Sequence, residues 1–219
     1  MRLVAVADTH TFEADMVVPD GDVFIHAGDM CRGGTFEEFE PVASWIRGLP
    51  HAQKLVVAGN HDWCFARDRG RATELLGDGV RYLEDSGVEL GGISFWGSPW
   101  QPAFNDWAFN LERGAPLAAK WSLIPGETDV LITHCPPLGY GDRYAGPRRI
   151  GCAELYAATR EVMPSLHLFG HVHQDGGLWE IDGVNYVNAT TWECERAPTV
   201  VDIDPSTGVI TAVEIPPRA

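Results

Sequence analysis

Five short apolar runs, each followed at once by polar residues, constrain the fold of this chain more than any other feature. The runs span residues 3–7, 23–27, 55–58, 130–133 and 166–169. Unbroken apolar runs of this length are typical of strands that are buried on both faces. Since ligands of open α/β sheets bind beyond the carboxyl ends of the strands, we expect the polar clusters after these runs to meet at one edge of the sheet.

The remaining pattern predicts helices between the early strands and hairpins near the end of the chain. Apolar spacing predicts helices over 36–49, with Gly48 and Pro50 as stops, and over 151–162. Further strands are predicted over 80–83, 93–96, 177–181, 184–188, 199–203 and 209–215, with hairpin turns at 182–183 and 204–208. This order favours a mixed, two-sheet α/β fold, and since no linker interrupts residues 1–219 we expect a single domain.

Charge and cysteine content argue against several classes of protein. The 219 residues include 16 Lys and Arg against 31 Asp and Glu, and this net charge of −15 would repel a nucleic-acid backbone. No apolar run approaches the roughly 20 residues that span a bilayer, and the start of the chain turns acidic too early for a signal peptide. Five cysteines without a CxxC pair argue against a disulfide scaffold. We therefore expect a reduced, cytoplasmic protein with no nucleic-acid or membrane partner, and the sequence predicts no oligomeric state.

The polar clusters after the five runs carry the side chains of a metal site. They read Asp8-Thr9-His10, Gly28-Asp29, Gly59-Asn60-His61-Asp62, Thr133-His134 and Gly170-His171-Val172-His173. Carboxylate and imidazole together suit Mn²⁺, Fe and Zn²⁺. Three carboxylates and four histidines besides His61 are too many ligands for one tetrahedral site, so the set fits two divalent metal ions bridged by one carboxylate.

The same five clusters, complete and in this order, resemble the signature of the calcineurin-like metallophosphoesterase superfamily. Segments 97–102, 109–111, 131–139, 151–155 and 186–190 extend the resemblance over nearly the whole chain, to the MPPED-type (brain metallophosphodiesterase-like) branch. The resemblance implies one metallophosphoesterase domain in which two mixed β-sheets pack as a sandwich between helices, in four αββα layers.

The resemblance also implies a role for each residue of the clusters. Asp8, His10 and His173 would hold the first metal ion. Asn60, His134 and His171 would hold the second, with Asp29 bridging the two. His61 would protonate the leaving group or stabilise charge in the transition state, and Asp62 would orient the His61 imidazole. The implied activity is hydrolysis of small phosphodiesters, with a nucleotide or cyclic nucleotide favoured, by in-line attack of a metal-bridging hydroxide.

Each motif also has a purely structural interpretation. The Asp8 cluster could cap a helix, and the Asn60 cluster could be a plain turn. We expect His26 and His167 to be buried structural residues and His51 to lie on the surface. Three cysteines lie within two positions of proposed site residues and are either small apolar fillers or thiols sensitive to oxidation and soft metals: Cys31, Cys64 and Cys135.

Substrate contacts remain open between two interpretations. The aromatic segment 96–107 either packs in the core or forms a wall on which Trp100 or Phe104 stacks a nucleobase. Arg148 either contacts substrate phosphate or forms a surface ion pair. Asn60 and His61 are the remaining candidates for substrate contacts.

Two classes of function remain. The first is an enzyme, a phosphodiesterase-type hydrolase. The second is a non-catalytic scaffold of the same fold that binds a nucleotide or a protein, and the presence of His61 with all seven candidate ligands favours the enzyme. The short chain and its few basic residues argue against a nuclease or a phosphoprotein phosphatase.

Overall fold

Most strands collect in two six-stranded sheets, and the computed structural model describes residues 1–218. The helices are α1 (Phe36–Gly48), α2 (Trp63–Arg67), α3 (Arg69–Leu76), α4 (Ala115–Trp121) and α5 (Ala153–Val162). The strands are β1 (Arg2–Val6), β2 (Val23–Ala27), β3 (Gln53–Val57), β4 (Arg81–Tyr82), β5 (Ser86–Leu90), β6 (Ile93–Ser98), β7 (Gln101–Pro102), β8 (Asn110–Leu111), β9 (Val130–Thr133), β10 (Leu166–Phe169), β11 (Gly177–Ile181), β12 (Val184–Asn188), β13 (Thr199–Ile203) and β14 (Ile210–Glu214).

Both sheets have a parallel centre and antiparallel margins. The first sheet has the order β14-β13-β1-β2-β3-β4, in which β1 to β4 are parallel and the last two strands of the chain add antiparallel. The second has the order β11-β12-β10-β9-β6-β5, with antiparallel strands at its two edges. The short strands β7 and β8 pair with each other.

The two sheets pack face to face over an apolar core, and helices cover their outer faces. Ile25 and Val57 of the first sheet belong to the same buried cluster as Ile132 and Leu168 of the second. The opposite face of the first sheet packs with α1, α2 and α3, and that of the second with α4 and α5. The four αββα layers implied by the resemblance are therefore confirmed, because each sheet buries both of its faces.

The apolar runs predict the buried strands within one or two residues. The two predicted helices correspond to α1 and α5. Each is capped at its N-terminus: the Thr35 hydroxyl accepts a hydrogen bond from Glu38 N, and the Cys152 sulfur accepts one from Leu155 N. The pattern predicts neither α2 and α3 nor α4, and it leaves out β5, whose residues are half-buried or exposed.

Two positional predictions are wrong. The polar clusters do not follow five strands of a single sheet: three follow β1, β2 and β3, and two follow β9 and β10 of the other sheet. His51 is buried rather than on the surface, because its Nε2 donates a hydrogen bond to the Pro19 carbonyl and its ring packs 5.6 Å from that of Phe24.

His26 and His167 are buried, as predicted. His26 Nε2 lies 3.0 Å from the Thr9 hydroxyl, and His167 Nε2 lies 2.9 Å from that of Thr133. Within residues 1–218, no helix has both the length and the apolar character required to cross a membrane.

Candidate metal centre

The loops that follow the strands are held in an unusual backbone conformation. Asp8, His10, Asp29 and His171 all have positive φ angles, of 57°, 47°, 56° and 71°. Non-glycine residues rarely adopt this left-handed region, and they tend to do so where a functional site requires it. Four of the seven predicted ligands therefore have a strained backbone conformation that is not needed to end the strands before them.

Two glycines of the motifs allow the loops to approach one another. A Cβ atom at Gly59 would lie 2.2 Å from Oδ1 of Asp29, and one at Gly28 would lie 2.5 Å from Nδ1 of His134. No real Cβ atom tolerates such contacts, so glycine is required for the carboxylate and imidazole side chains to sit where they do.

The first group of predicted ligands brings Asp8, His10 and His173 together. The Nε2 atoms of the two histidines are 3.3 Å apart, and Nε2 of His173 lies 3.7 Å from Oδ1 of Asp8. Asp8 and His10 are buried, and His173 is partly exposed. Ligand atoms of all three lie within 4.8 Å of one another, so one cation could contact them all.

The second group gathers around His134. Its Nε2 lies 3.1 Å from Oδ2 of Asp29, 3.1 Å from Oδ1 of Asn60 and 3.3 Å from Nδ1 of His171. Asp29 also approaches the first group, since its Oδ2 is 3.9 Å from Nε2 of His10. The carboxylate thus lies between the two groups, as a bridging ligand would.

Hydrogen bonds to backbone carbonyls set the tautomers of two imidazoles. Nδ1 of His10 donates to the carbonyl of Cys31 at 2.9 Å, and Nδ1 of His134 donates to that of Ala27 at 2.9 Å. In the neutral rings, Nε2 therefore carries a lone pair directed into the cluster. Imidazole lone pairs, the Asp29 carboxylate and the Asn60 amide oxygen therefore converge on the cluster. These acceptor atoms repel one another, and a bound cation would remove that repulsion. The donor set fits a divalent metal of the Mn²⁺, Fe or Zn²⁺ kind.

Burial and mutual interaction shift the pKa values of the buried groups at the centre. Burial alone raises the pKa of the Asp29 carboxyl, but the His134 imidazole holds that pKa well below its usual range. Burial lowers the pKa of His134, yet the adjoining Asp29 carboxylate raises it to about 9. Burial lowers the pKa of His171 to about 4, which leaves that imidazole neutral and able to act as a ligand.

His61 lies beside the first group with a defined orientation. Its Nδ1 donates to the carbonyl of Arg32 at 2.6 Å, and its backbone N–H donates to Oδ1 of Asp29 at 2.8 Å. Its ring meets that of His10 edge-on, with centroids 4.7 Å apart. A ligand atom of His61 also lies within 4.8 Å of atoms of His10 and Asp29. Nε2 is the ring nitrogen left free for a ligand.

Asp62 does not orient the His61 imidazole, so that part of the prediction is corrected. Its buried carboxylate instead accepts backbone N–H groups of Gly59 at 2.8 Å, Cys31 at 2.9 Å and Met30 at 3.3 Å. Burial raises the pKa of Asp62 to about 6. The side chain ties the loop after β3 to the loop after β2, which holds the backbone from which two predicted ligands project.

A cavity of about 610 Å³ opens over the centre. Asp29, Asn60, His61, His171 and His173 form its floor. Its walls include Phe104, Asn105, Trp107, Arg113, Tyr144, Arg148 and Arg149. The structure thus brings two of the predicted substrate contacts, Phe104 and Arg148, to the same cavity as four of the predicted metal ligands. The Phe104 ring lies 5.4 Å from that of His171.

Trp100 is not brought to this cavity. Its indole N–H donates to Oδ2 of Asp85 at 2.9 Å, the Lys120 ammonium lies 4.2 Å from its ring centre, and Phe109 meets it edge-on at 5.7 Å. These partners hold the ring in the core beside β7, so the packing interpretation applies to Trp100 and the prediction that it stacks on a base is corrected.

Sequence reasoning did not single out Trp107 and Arg113 among the cavity residues. Trp107 lies in the loop between β7 and β8, which Asn110 closes by donating to the carbonyls of Phe104 and Asn105. Ala108 N donates to the Asn60 carbonyl, which docks this loop on the metal centre. The signal available in the sequence was the run of four aromatic side chains between residues 100 and 109, which did not indicate which of them faced the site.

The three cysteines near the centre are buried, as small packing residues would be. The hydrogen bond with Cys64 and burial raise the pKa of Cys31 far above its usual value, and burial raises that of Cys135. A thiol with a raised pKa is a poor nucleophile toward oxidants, so the packing interpretation accounts for these residues.

Comparisons with known proteins agree with this geometry. The family model "Calcineurin-like phosphoesterase" matches residues 1–175. The chain is 37% identical to human "Metallophosphoesterase domain-containing protein 1", over 92% of this chain and 71% of that protein. It is 23% identical to "3',5'-cyclic-nucleotide phosphodiesterase alr5338" of Nostoc sp., over 80% of this chain and 66% of that one. The crystal structure of TT1561 from Thermus thermophilus shares the fold, with a TM-score of 0.63, 12% identity and 98% of each chain covered.

Proposed function

The chain belongs to the calcineurin-like phosphoesterase family, and from that membership and the geometry of the site we propose that it hydrolyses small phosphodiesters with the aid of two divalent metal ions. A nucleotide or cyclic nucleotide is the favoured substrate. The observation that carries the proposal is the convergence of seven candidate ligand side chains in two adjoining groups. Four of the seven line the cavity floor, and the free nitrogen of His61 lies beside them.

Each side chain of the centre receives one role. Asp8, His10 and His173 would hold the first ion, Asn60, His134 and His171 would hold the second, and Asp29 would be shared between them. The chemistry that two such ions supply is neutralisation of phosphate charge and a lowered pKa for an attacking water molecule. Mn²⁺ and Fe fit this mixed set of imidazole and oxygen donors, and Zn²⁺ is a third choice.

His61 acts on the leaving group. Because its Nδ1 proton is held by the Arg32 carbonyl, Nε2 is the atom that faces the substrate. A proton at Nε2 can be given to the departing oxygen, or its positive charge can stabilise the transition state. His61 and Asn60 line the cavity floor and are therefore placed to contact the phosphate itself.

The cavity walls favour a small substrate with an aromatic part. A volume of about 610 Å³ lies in the range of ordinary small-molecule sites and suits one nucleotide. Phe104 and Trp107 offer ring faces on which a base can stack. The name of the Nostoc relative, a cyclic-nucleotide phosphodiesterase, adds support for this class of substrate.

The test is turnover by purified protein loaded with Mn²⁺. Substrates are bis(p-nitrophenyl) phosphate, p-nitrophenyl phosphate, and the 2′,3′- and 3′,5′-cyclic forms of adenosine monophosphate. We expect the diesters to be hydrolysed faster than the monoester, and His61→Ala to lower kcat on the cyclic nucleotides by about 10²–10⁴-fold with metal content unchanged. Protein that holds two metal equivalents and hydrolyses none of these esters would instead be a binding protein.

A further inference from the structure

One wall of the cavity is positively charged, although the chain as a whole has a negative net charge. Acidic residues outnumber basic ones by 31 to 16 in the sequence. Among the described residues that line the cavity, however, three are arginines, and Asp29 at the metal centre is the one carboxylate. The three arginines, Arg113, Arg148 and Arg149, form what we call the arginine wall.

Arg113 is fixed on this wall by backbone carbonyls rather than by a carboxylate. Its Nη1 donates to the carbonyl of Gly151 and its Nη2 to that of Ile150, both at 3.0 Å. Two of its five N–H groups are engaged in this way, and the side chain keeps its full positive charge. The carboxylate of Glu154 accepts a hydrogen bond from Gly114 N and forms no ion pair with Arg113 in the described structure.

The two other arginines of the wall differ from each other. Arg149 is neutralised, since it pairs with the buried carboxylate of Asp142 and donates to the Gly139 carbonyl. Arg148 is exposed, and within residues 1–218 no acidic side chain pairs with it. Arg149 therefore anchors the loop, while Arg113 and Arg148 supply the positive charge of the wall that no described ion pair engages.

We propose that Arg113 and Arg148 bind a second anionic group of the substrate, a phosphate or a carboxylate that is not cleaved. This inference rests on the proposed function, in which the metal centre on the cavity floor takes the scissile phosphate. The floor and the wall belong to one cavity large enough for a nucleotide, so both can contact a single molecule. Among the phosphodiesters of the proposed function, those that carry a further anion would then bind more tightly than singly charged ones. Charge-assisted hydrogen bonds from a planar guanidinium suit either anion.

The inference is tested first by binding, which does not depend on turnover. Calorimetric titration of the Mn²⁺-loaded protein compares thymidine 3′,5′-bisphosphate with thymidine 5′-phosphate, and a 3′-O-carboxymethyl analogue of the latter tests a carboxylate. We expect the bisphosphate, which has two anionic groups, to bind about tenfold more tightly than thymidine 5′-phosphate, which has one. Arg148→Met or Arg113→Met should abolish most of that preference. Arg148 is exposed and forms no described ion pair, so we expect Arg148→Met to fold normally. The test therefore remains valid if Arg113→Met proves unstable.

Arg143→Met is the matched control. Arg143 lies in the same loop, is exposed and carries the same charge, but it does not line the cavity. Its loss should leave the preference unchanged. Equal affinity of wild type for the mono- and bisphosphate, or equal loss in the Arg143 and Arg148 variants, would overturn the inference.

A turnover comparison separates this inference from the proposed function. The substrates are the p-nitrophenyl ester of thymidine 5′-phosphate and the same ester with a 3′-phosphate. If wild type cleaves both with equal KM, the arginine wall has no such role although the enzyme is a phosphodiesterase. If it cleaves neither yet prefers the bisphosphate, the proposed function fails while the anion-binding wall stands. A lower KM for the 3′-phosphorylated ester that Arg148→Met removes supports both.

Discussion

The imidazole of His61 lies against the indole of Trp107, with ring centroids 4.1 Å apart and ring planes inclined by 39°. The Arg32 carbonyl fixes one edge of the same imidazole, and the His10 ring meets it from another side. His61 is therefore held by packing as well as by a hydrogen bond, and its rotation is restricted before any substrate arrives.

Removal of the indole should release that restriction. We expect Trp107→Ala to lower kcat for 3′,5′-cyclic adenosine monophosphate by about tenfold, because its alkoxide leaving group needs a proton that a misplaced donor delivers poorly. Trp107→Phe should recover most of the loss, and metal content should be unchanged in both variants. Steady-state kinetics decide the matter: a raised KM with kcat unchanged would show that the indole binds substrate and does not position His61.

If Asp29 bridges the two proposed metal ions, its carboxylate should be needed for both. Asp29→Ala removes the one side chain that lies between the two ligand groups, so we expect the purified variant to retain little of either ion. Asn60→Ala removes a ligand of the second group alone and should leave about one equivalent per chain. Elemental analysis after gel filtration measures this, and two equivalents in Asp29→Ala would contradict the bridging role.

A methyl group at Gly59 should displace the Asp29 carboxylate. The added Cβ would fall 2.2 Å from Oδ1 of Asp29 and 2.4 Å from its backbone nitrogen. We expect Gly59→Ala to reduce the free energy of unfolding by about 1–3 kcal/mol and to weaken metal binding. Gly126→Ala is the control, since nothing lies within 4 Å of a Cβ there. Equal melting temperatures and metal contents for the two variants would disprove the packing argument.

Acid should destabilise the fold through His167. Burial lowers the pKa of this imidazole to about 3, whereas in the unfolded chain it is near 6.5. Between those two values the unfolded state binds the extra proton, so stability falls as the pH drops below about 6.5. From pH 7.5 to pH 5.5 this amounts to about 1.4 kcal/mol for the one residue.

Chemical denaturation at the two pH values isolates that contribution. His167→Gln keeps a donor for the Thr133 hydroxyl but cannot titrate, so its loss of stability between pH 7.5 and 5.5 should be smaller than that of wild type by the stated amount. Equal losses would mean that the buried imidazole accepts its proton without penalty.

The strands and the meeting of the polar clusters could be predicted from the sequence because both depend on local patterns. A strand buried on two faces is apolar at nearly every position, and each candidate ligand lies shortly beyond the end of such a strand. Helix α3 escaped prediction because its sequence, which contains Gly70 and three charged residues, shows little apolar periodicity. Strand β5 is half-exposed and pairs only at the edge of its sheet.

What could not be predicted depends on contacts between distant segments. The partner of the His61 imidazole is a backbone carbonyl 29 residues away, a position that every residue type offers equally. Whether Trp100 or Trp107 faces the cavity is decided by Asp85 and Asn110, which fix the two ends of the aromatic segment. His51 is buried by Pro19, and nothing in its own neighbourhood indicates that contact.

The division of the ligands between two sheets has a mechanical consequence. Each proposed ion takes side chains from both, with Asp8, Asp29 and Asn60 on loops of one sheet and His134, His171 and His173 on loops of the other. The ions would then cross-link the two sheets at the end of the sandwich where these loops lie. A slip of the sheets past each other by about one ångström would spoil both coordination spheres at once, because metal–ligand distances tolerate only a few tenths of an ångström. Any substitution that lets the two sheets slide past each other, even one far from the metal centre, should therefore also weaken the binding of both ions.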